Sequence, residues 1–140
     1  MLKRLALLVF MTFVAVMMGC SKKQVGQSDE GLRTILFDFD MYNIREDARG
    51  ILERNAQYLK DNSSVEIQIE GHCDERGSNE YNMALGQRRA NAAKHYLVGL
   101  GISANRLSTV SYGEEKPVDE TSTPSAWDKN RRAEFRVVSK

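Results

Sequence analysis

The chain begins with one long apolar run and then alternates between strand-like and helix-like hydrophobic periods. Leu5 to Met18 is apolar apart from Thr12, behind a basic start at Lys3 and Arg4. Past a polar stretch, Thr34–Phe39 (TILFDF) reads as a strand with Phe37 and Phe39 on one face. Ile44–Lys60 carries Ile44, Ala48, Ile51, Leu52, Ala56 and Leu59 at helical spacing and stops at the polar run 61–64. Val65–Glu70 (VEIQIE) alternates strictly, as a strand with one buried face does. Gly71–Gly77 is a turn. Asn79–Leu100 is a second helix, with Leu85, Ala92, Ala93, Tyr96, Leu97 and Leu100 as its stripe and Gly99 and Gly101 at its end. Leu107–Tyr112 (LSTVSY) is a third strand. Gly113–Ser125 is a long loop holding both prolines, Ala126–Arg131 one helical turn, and Ala133–Ser139 (AEFRVVS) a last strand. This order predicts an α/β fold, an α+β sandwich of βαβαβ-β form. Two main helices pack on one face of a small sheet. The final connection is too short and polar for a crossover helix, so the sheet is mixed.

The ends divide the chain into three parts. The apolar run is short for a membrane span, which needs about 20 residues. Small Gly19 precedes Cys20, as at a secretory cleavage site, and Cys in that place points to a bacterial lipoprotein signal. An ordinary secretory signal and an uncleaved anchor are the other readings of the same run. The division expected is 1–19 signal peptide, 20–31 lipidated Cys20 and short tether, and 32–140 folded domain. Fully extended, Ser21 to Gly31 reaches roughly 35–40 Å. Removing Lys3 and Arg4 takes the formal charge from +1 to −1. A near-neutral protein lacks the basic surface that nucleic-acid binding needs. With Cys20 lipidated, Cys73 has no intramolecular partner, so no disulfide framework is expected.

The densest polar cluster is Glu70–Asn91 (EGHCDERGSNEYNMALGQRRAN), at a strand-to-helix turn. Turns of this kind present polar groups to ligands. Arg89 lies four residues after Leu85 and three before Ala92, so it points toward the sheet. A guanidinium there needs an acidic partner or an anionic ligand. Asp74, in the turn, is the natural partner. An internal ion pair and a ligand grip are equally open. Asp38 and Asp40 end the first strand. If the first two strands run parallel, Asp40, Asp74 and Arg89 converge outside their C-terminal ends. Such a mixed-sign pocket suits a zwitterion. Asp40 is alternatively a helix N-terminal acid near Asn43. His72, Cys73 and Asp74 lack the ligand spacing of a zinc site and the third group a catalytic Cys needs. Cys73 reads better as a small buried residue beside Gly71 and Ile69. Arg131 and Arg132, after Asn130, either both lie in solvent or one of them helps lock the turn loops.

The stretches FDFDMYNI (37–44), EGHCDERGSNEYNMALGQRRAN (70–91), GLGISANRLSTVSYGEEKP (99–117) and KNRRAEF (129–135) resemble the peptidoglycan-associated lipoproteins of the OmpA C-terminal-like domain family. The resemblance runs from about Ile35 to Val137. It implies noncovalent binding of peptidoglycan, no enzymatic activity and no cofactor. It implies that Asp74 and Arg89 grip the diaminopimelate of the stem peptide. Phe39 and Asp40 match an aromatic–acid pair at the rim, Asn82 and Leu85 match pocket-lining positions, and Arg76 a site-edge arginine. A TolB-like periplasmic protein is the implied partner, on an overlapping surface. Ser21 after the lipid Cys implies the outer membrane, periplasmic face, as the location. Cys73 stands where many members carry Thr, and the tether is shorter than in many of them.

Overall fold

The structure, a computed structural model, describes residues 31–140. The signal run, Cys20 and the tether up to residue 30 lie outside the described residues. Four strands and three helices follow one another. They are β1 (Ile35–Leu36), α1 (Glu46–Asp61), β2 (Glu66–His72), α2 (Asn79–Gly99), β3 (Leu107–Gly113), α3 (Pro124–Asn130) and β4 (Arg132–Ser139). A 3-10 turn, Ala104–Arg106, leads into β3. None of the described helices is long and apolar enough to cross a membrane.

The sheet order is β1-β4-β2-β3. β4 runs antiparallel to both neighbours, with Ile35 opposite Ala133 and Ile69 opposite Phe135. β2 and β3 are parallel, Ile69 opposite Thr109. The sheet is mixed, as the short last connection predicts. β1 and β2 run the same way, but β4 lies between them. Their C-terminal ends still open on the same edge.

The alternation of VEIQIE places Ile67 and Ile69 in the core with Phe135 and Ala133 of β4, Leu52 and Leu59 of α1, and Ala93 and Leu97 of α2. Fully burying each large apolar side chain stabilises by about 1.5–3 kcal/mol. Glu46 and Asp47 sit in the first turn of α1, where the helix dipole favours acids, and Lys60 sits in its last. Ser78 caps α2, its side chain accepting from the Tyr81 N–H at 3.1 Å. Thr123 caps α3 in the same way, from Ala126 at 3.2 Å, with Pro124 in the first turn.

The elements differ from their sequence reading at their ends. The first strand shrinks from Thr34–Phe39 to Ile35–Leu36. The Phe37 N–H still donates to the Arg131 carbonyl at 2.9 Å, but the chain then turns, Met41 N–H donating to Asp38 O at 3.2 Å. Phe37 is therefore buried at 0% exposure and Phe39 stands out at 57%, not on one face with it. α1 starts at Glu46 rather than Ile44, so Glu46 and Asp47, not Asp40, are its N-terminal acids. β2 continues through Gly71 to His72, two residues into the expected turn. The buried seam of α2 is Asn82, Leu85, Gly86, Arg89, Ala90, Ala93 and Leu97. Ala92, Tyr96 and Leu100 are only half-buried. The seam turns toward small residues because α2 lies backbone against backbone on β2, where Gly71 meets Gly86.

Candidate functional site

The C-terminal ends of β1 and β2 and the first turns of α2 enclose a cavity of about 230 Å³. Phe39, Asp40, Asp74, Arg76, Asn82, Leu85 and Arg89 all line it, so every residue expected to form a pocket lies on one wall or another. Cys73, Gly77 and Tyr81 complete the lining.

Arg89 is 1% exposed. Helical side chains lean toward the helix N-terminus, which carries its guanidinium back to the sheet edge. Its Nε donates to Met41 O at 2.8 Å, Nη1 to His72 O at 2.8 Å and Nη2 to Asp38 O at 3.2 Å. Asp74, its natural partner by sequence, is not bonded to it, so of the two open readings the internal ion pair does not form. Three carbonyls from two strand exits use the guanidinium fork instead, and Phe37 lies under it, 5.3 Å from ring centre to Cζ. Burial pulls the Arg89 pKa down from its ordinary value. Backbone carbonyls carry no formal charge, so among the described residues the cation faces the cavity without a carboxylate bonded to it.

Asp74 occupies the other wall and is held by two other arginines. Arg76 reaches it from Nη2 at 2.8 Å, from Nε at 3.1 Å and through its own backbone N–H at 3.0 Å. Arg131 approaches at 3.4 Å. The Arg76 guanidinium is sandwiched between the rings of Phe39, at 3.9 Å, and Trp127, at 4.2 Å. Cation–π contacts of this kind contribute about 0.5–1 kcal/mol each at exposed sites. Trp127 is itself fixed by donating to Glu75 at 3.0 Å.

Burial alone would raise the Asp74 pKa, but the hydrogen bonds from Arg76 and Arg131 outweigh it and hold the carboxyl below its ordinary value of 3.8. The unfolded chain therefore takes up this proton first. The stabilisation is complete above the unfolded value and lost as pH falls through the lower folded one. Unfolding free energies of wild type and Asp74→Asn should keep a constant gap above about pH 5 and converge below about pH 4. A gap that persists unchanged to about pH 2 would rule out this electrostatic role.

Asn82 clamps the loop that carries these groups. Its Nδ2 donates to Arg76 O at 3.0 Å, Asp74 O at 3.3 Å and Glu114 Oε1 at 3.3 Å. Cys73 lies where the strand alternation puts it, its thiol donating to Asn82 O at 3.2 Å. Burial pushes that thiol up to about 11, so it is no thiolate nucleophile. The His72 side chain leaves by the opposite face of the sheet, so His72, Cys73 and Asp74 do not converge.

One residue of the site had no role in the sequence reading. Tyr81 donates its hydroxyl to Asp40, which adopts a left-handed backbone at φ 56°. Its signal was its place beside Asn82 in the first turn of α2. Arg131, read as either solvated or a lock, is a lock. It bonds Phe37 O at 3.0 Å, Asp74, and Asp128 of α3. Arg132 locks a second loop, donating to Lys116 O at 2.9 Å and to Glu134 at 2.8 Å.

A family model described as OmpA family matches residues 36–131. The peptidoglycan-associated lipoprotein of Rhizobium meliloti (strain 1021) is 52% identical over 99 residues, 71% of this chain and 56% of that protein. Its counterpart in Haemophilus influenzae is 47% identical over 109 residues, 78% of this chain and 71% of its own length. The crystal structure of the peptidoglycan-associated lipoprotein from Burkholderia pseudomallei matches with a TM-score of 0.73 at 42% identity, covering 75% of this chain and 89% of that one. The chain thus spans little more than half the length of the first of these relatives. Across sequence and fold alike, the chain belongs to the OmpA family, among its peptidoglycan-associated lipoproteins.

Proposed function

We propose that this chain binds peptidoglycan noncovalently, gripping the diaminopimelate of the stem peptide in the cavity between Asp74 and Arg89. The observation that carries this reading is the separation of charge across one cavity. Asp74 and Asp40 supply acceptors for an ammonium, and Arg89, with no carboxylate bonded to it, supplies the cation for a carboxylate. Diaminopimelate offers both charges. Lipid on Cys20, after removal of residues 1–19, holds the 32–140 domain to the periplasmic face of the outer membrane through the 20–31 tether. Gripping the wall then links the two layers, as part of the Tol–Pal system that serves envelope integrity and cell division.

This is binding rather than catalysis, and it calls for no cofactor. Hydrolysis of the wall would need two carboxyl groups free to act as acid and base or nucleophile. Asp74 is engaged by Arg76 and Arg131, and Asp40 by Tyr81.

The test is co-sedimentation of the full chain, purified in detergent, with isolated sacculi. Asp74→Asn keeps the shape and removes the charge. It should weaken binding roughly tenfold or more, the worth of a charge-assisted hydrogen bond. Wild-type co-sedimentation by a folded Asp74→Asn protein means the site is misassigned.

A second reading is docking of a TolB-like periplasmic protein on an overlapping surface. Its support is the exposed apolar side chains of Phe39, Met41, Tyr42 and Tyr81. Soluble monomers rarely gather such residues without a partner. Capture of a purified TolB-like protein that survives Asp74→Asn but fails in a Met41→Ser, Tyr42→Ser double variant would separate docking from wall binding.

A further inference from the structure

The face of the sheet turned away from α1 and α2 carries a second polar cluster. Along β2, Ile67, Ile69 and Gly71 face the helices, so Glu70 and His72 face the other way. Glu70 lies directly opposite Glu134 of β4 in the antiparallel register. Like charges facing across strands destabilise a sheet. Here one of the two, Glu70, is also buried, at 2% exposure. His72, two residues on, is 1% exposed, and neither ring nitrogen has a hydrogen-bond partner among the described residues. Its ring stacks on Tyr112, with centroids 5.5 Å apart, which fixes its plane. One ligating atom from each of Glu70, His72 and Glu134 lies within 4.8 Å of the other two.

Two carboxylates brought together with an unpartnered imidazole are a cation's donor set. We propose that Glu70, His72 and Glu134 bind a divalent transition-metal ion, zinc by the nature of the donors, on the outer face of the sheet. One nitrogen and two oxygens suit a borderline ion better than calcium or magnesium, which take oxygen alone. Three protein ligands leave a fourth, tetrahedral position for water. Glu134 is only part-buried, which gives the ion a way in from solvent.

Two arginines compete for the same carboxylates. Arg136 donates to Glu70 Oε1 at 3.2 Å, and Arg132 to Glu134 Oε1 at 2.8 Å. A carboxylate can accept at either oxygen, so each Glu can turn one oxygen to the ion. Arg136 is half-exposed and its pair is the weaker of the two. The His72 carbonyl also receives Arg89 Nη1, so His72 is shared between the proposed metal site and the arginine of the cavity.

The experiment is zinc titration of the full chain in detergent by calorimetry, with the melting temperature followed in parallel. Wild type should bind one equivalent at this site and melt higher with zinc present. His72→Gln and Glu134→Gln should each weaken it, roughly 10–100-fold as for disturbed metal sites. Arg136→Gln should tighten it roughly fivefold, by removing the half-exposed arginine that competes for Glu70. That gain cannot come from misfolding. His95→Gln and Cys20→Ser should leave the site unchanged. Absence of zinc binding by wild type overturns the proposal. So does zinc binding that survives Glu134→Gln combined with His72→Gln, or affinity in Arg136→Gln no tighter than wild type.

Discussion

Gly71→Ala is expected to unfold the protein or leave it barely stable. A Cβ on Gly71 would lie 2.6 Å from the Gly86 carbonyl carbon and closer still to its oxygen. Both atoms are backbone, so no rotamer change relieves the clash. α2 must lift from β2, opening the seam that holds Leu85, Ala90 and Ala93. Overpacking of this kind costs about 3–5 kcal/mol. Domains of this size hold about 5–15 kcal/mol in total. Gly86→Ala meets a softer obstacle, since its nearest neighbour is the Ser111 hydroxyl, which can rotate, with the Gly71 carbonyl at 3.0 Å. It should cost about 1–2 kcal/mol. Gly50, on α1, has no atom of the described residues within 4 Å of a new Cβ. Gly50→Ala should stabilise by about 0.5–1 kcal/mol, through helix propensity alone. Urea unfolding of the three variants checks the order. Equal stability of Gly71→Ala and Gly50→Ala would refute the close approach of strand and helix.

Arg89→Ala is expected to lose stability and wall binding together. Its three carbonyl partners come from Asp38, Met41 and His72. Removing the fork leaves them in a buried site without donors, a cost of about 2–4 kcal/mol. The segment 38–41 would then be loosened from the end of β2, and with it Phe39 and Asp40. The cation proposed to face the ligand carboxylate is lost as well, so binding to sacculi should fall roughly 100-fold. Arg89→Lys separates the two roles. An ammonium keeps the charge but cannot span three carbonyls in a planar fork. It should recover part of the binding while remaining less stable than wild type. If Arg89→Lys equals wild type in urea, the fork is not what joins the strand exits.

The difference between what the sequence revealed and what it hid follows the range of the interactions. The strict alternation of VEIQIE and the helical stripes depend on neighbours two to four residues apart. They located β2, α1 and α2 to within a few residues. The convergence of Asp40, Asp74 and Arg89 required only that β1 and β2 run the same way, which the helix between them favours. The partners of the charges were not legible. Arg89 bonds to backbone carbonyls, which every residue has, so no side-chain pattern marks them. Arg131 reaches Asp74 across 57 positions in the chain. Its choice depends on β4 lying between β1 and β2, and nothing local to KNRRAEF encodes that. Phe39 failed for a related reason. Alternation put it with Phe37, but the chain had already left the ladder.

The position of β4 also has a consequence in time. Apart from the Arg89 fork, the sheet cannot join β1 to β2 until the last strand in chain order arrives between them. Before that, the Phe37 carbonyl lacks Arg131, and Asp74 lacks one of its two cations. The links that Arg131 makes to Phe37 and Asp74 thus depend on long loop closures, which are slow to form. A chain emerging from its N-terminus would therefore carry Arg89 and its three carbonyls before Arg131 could reach Asp74. The cationic wall of the cavity can form first, and the acidic wall is steadied last.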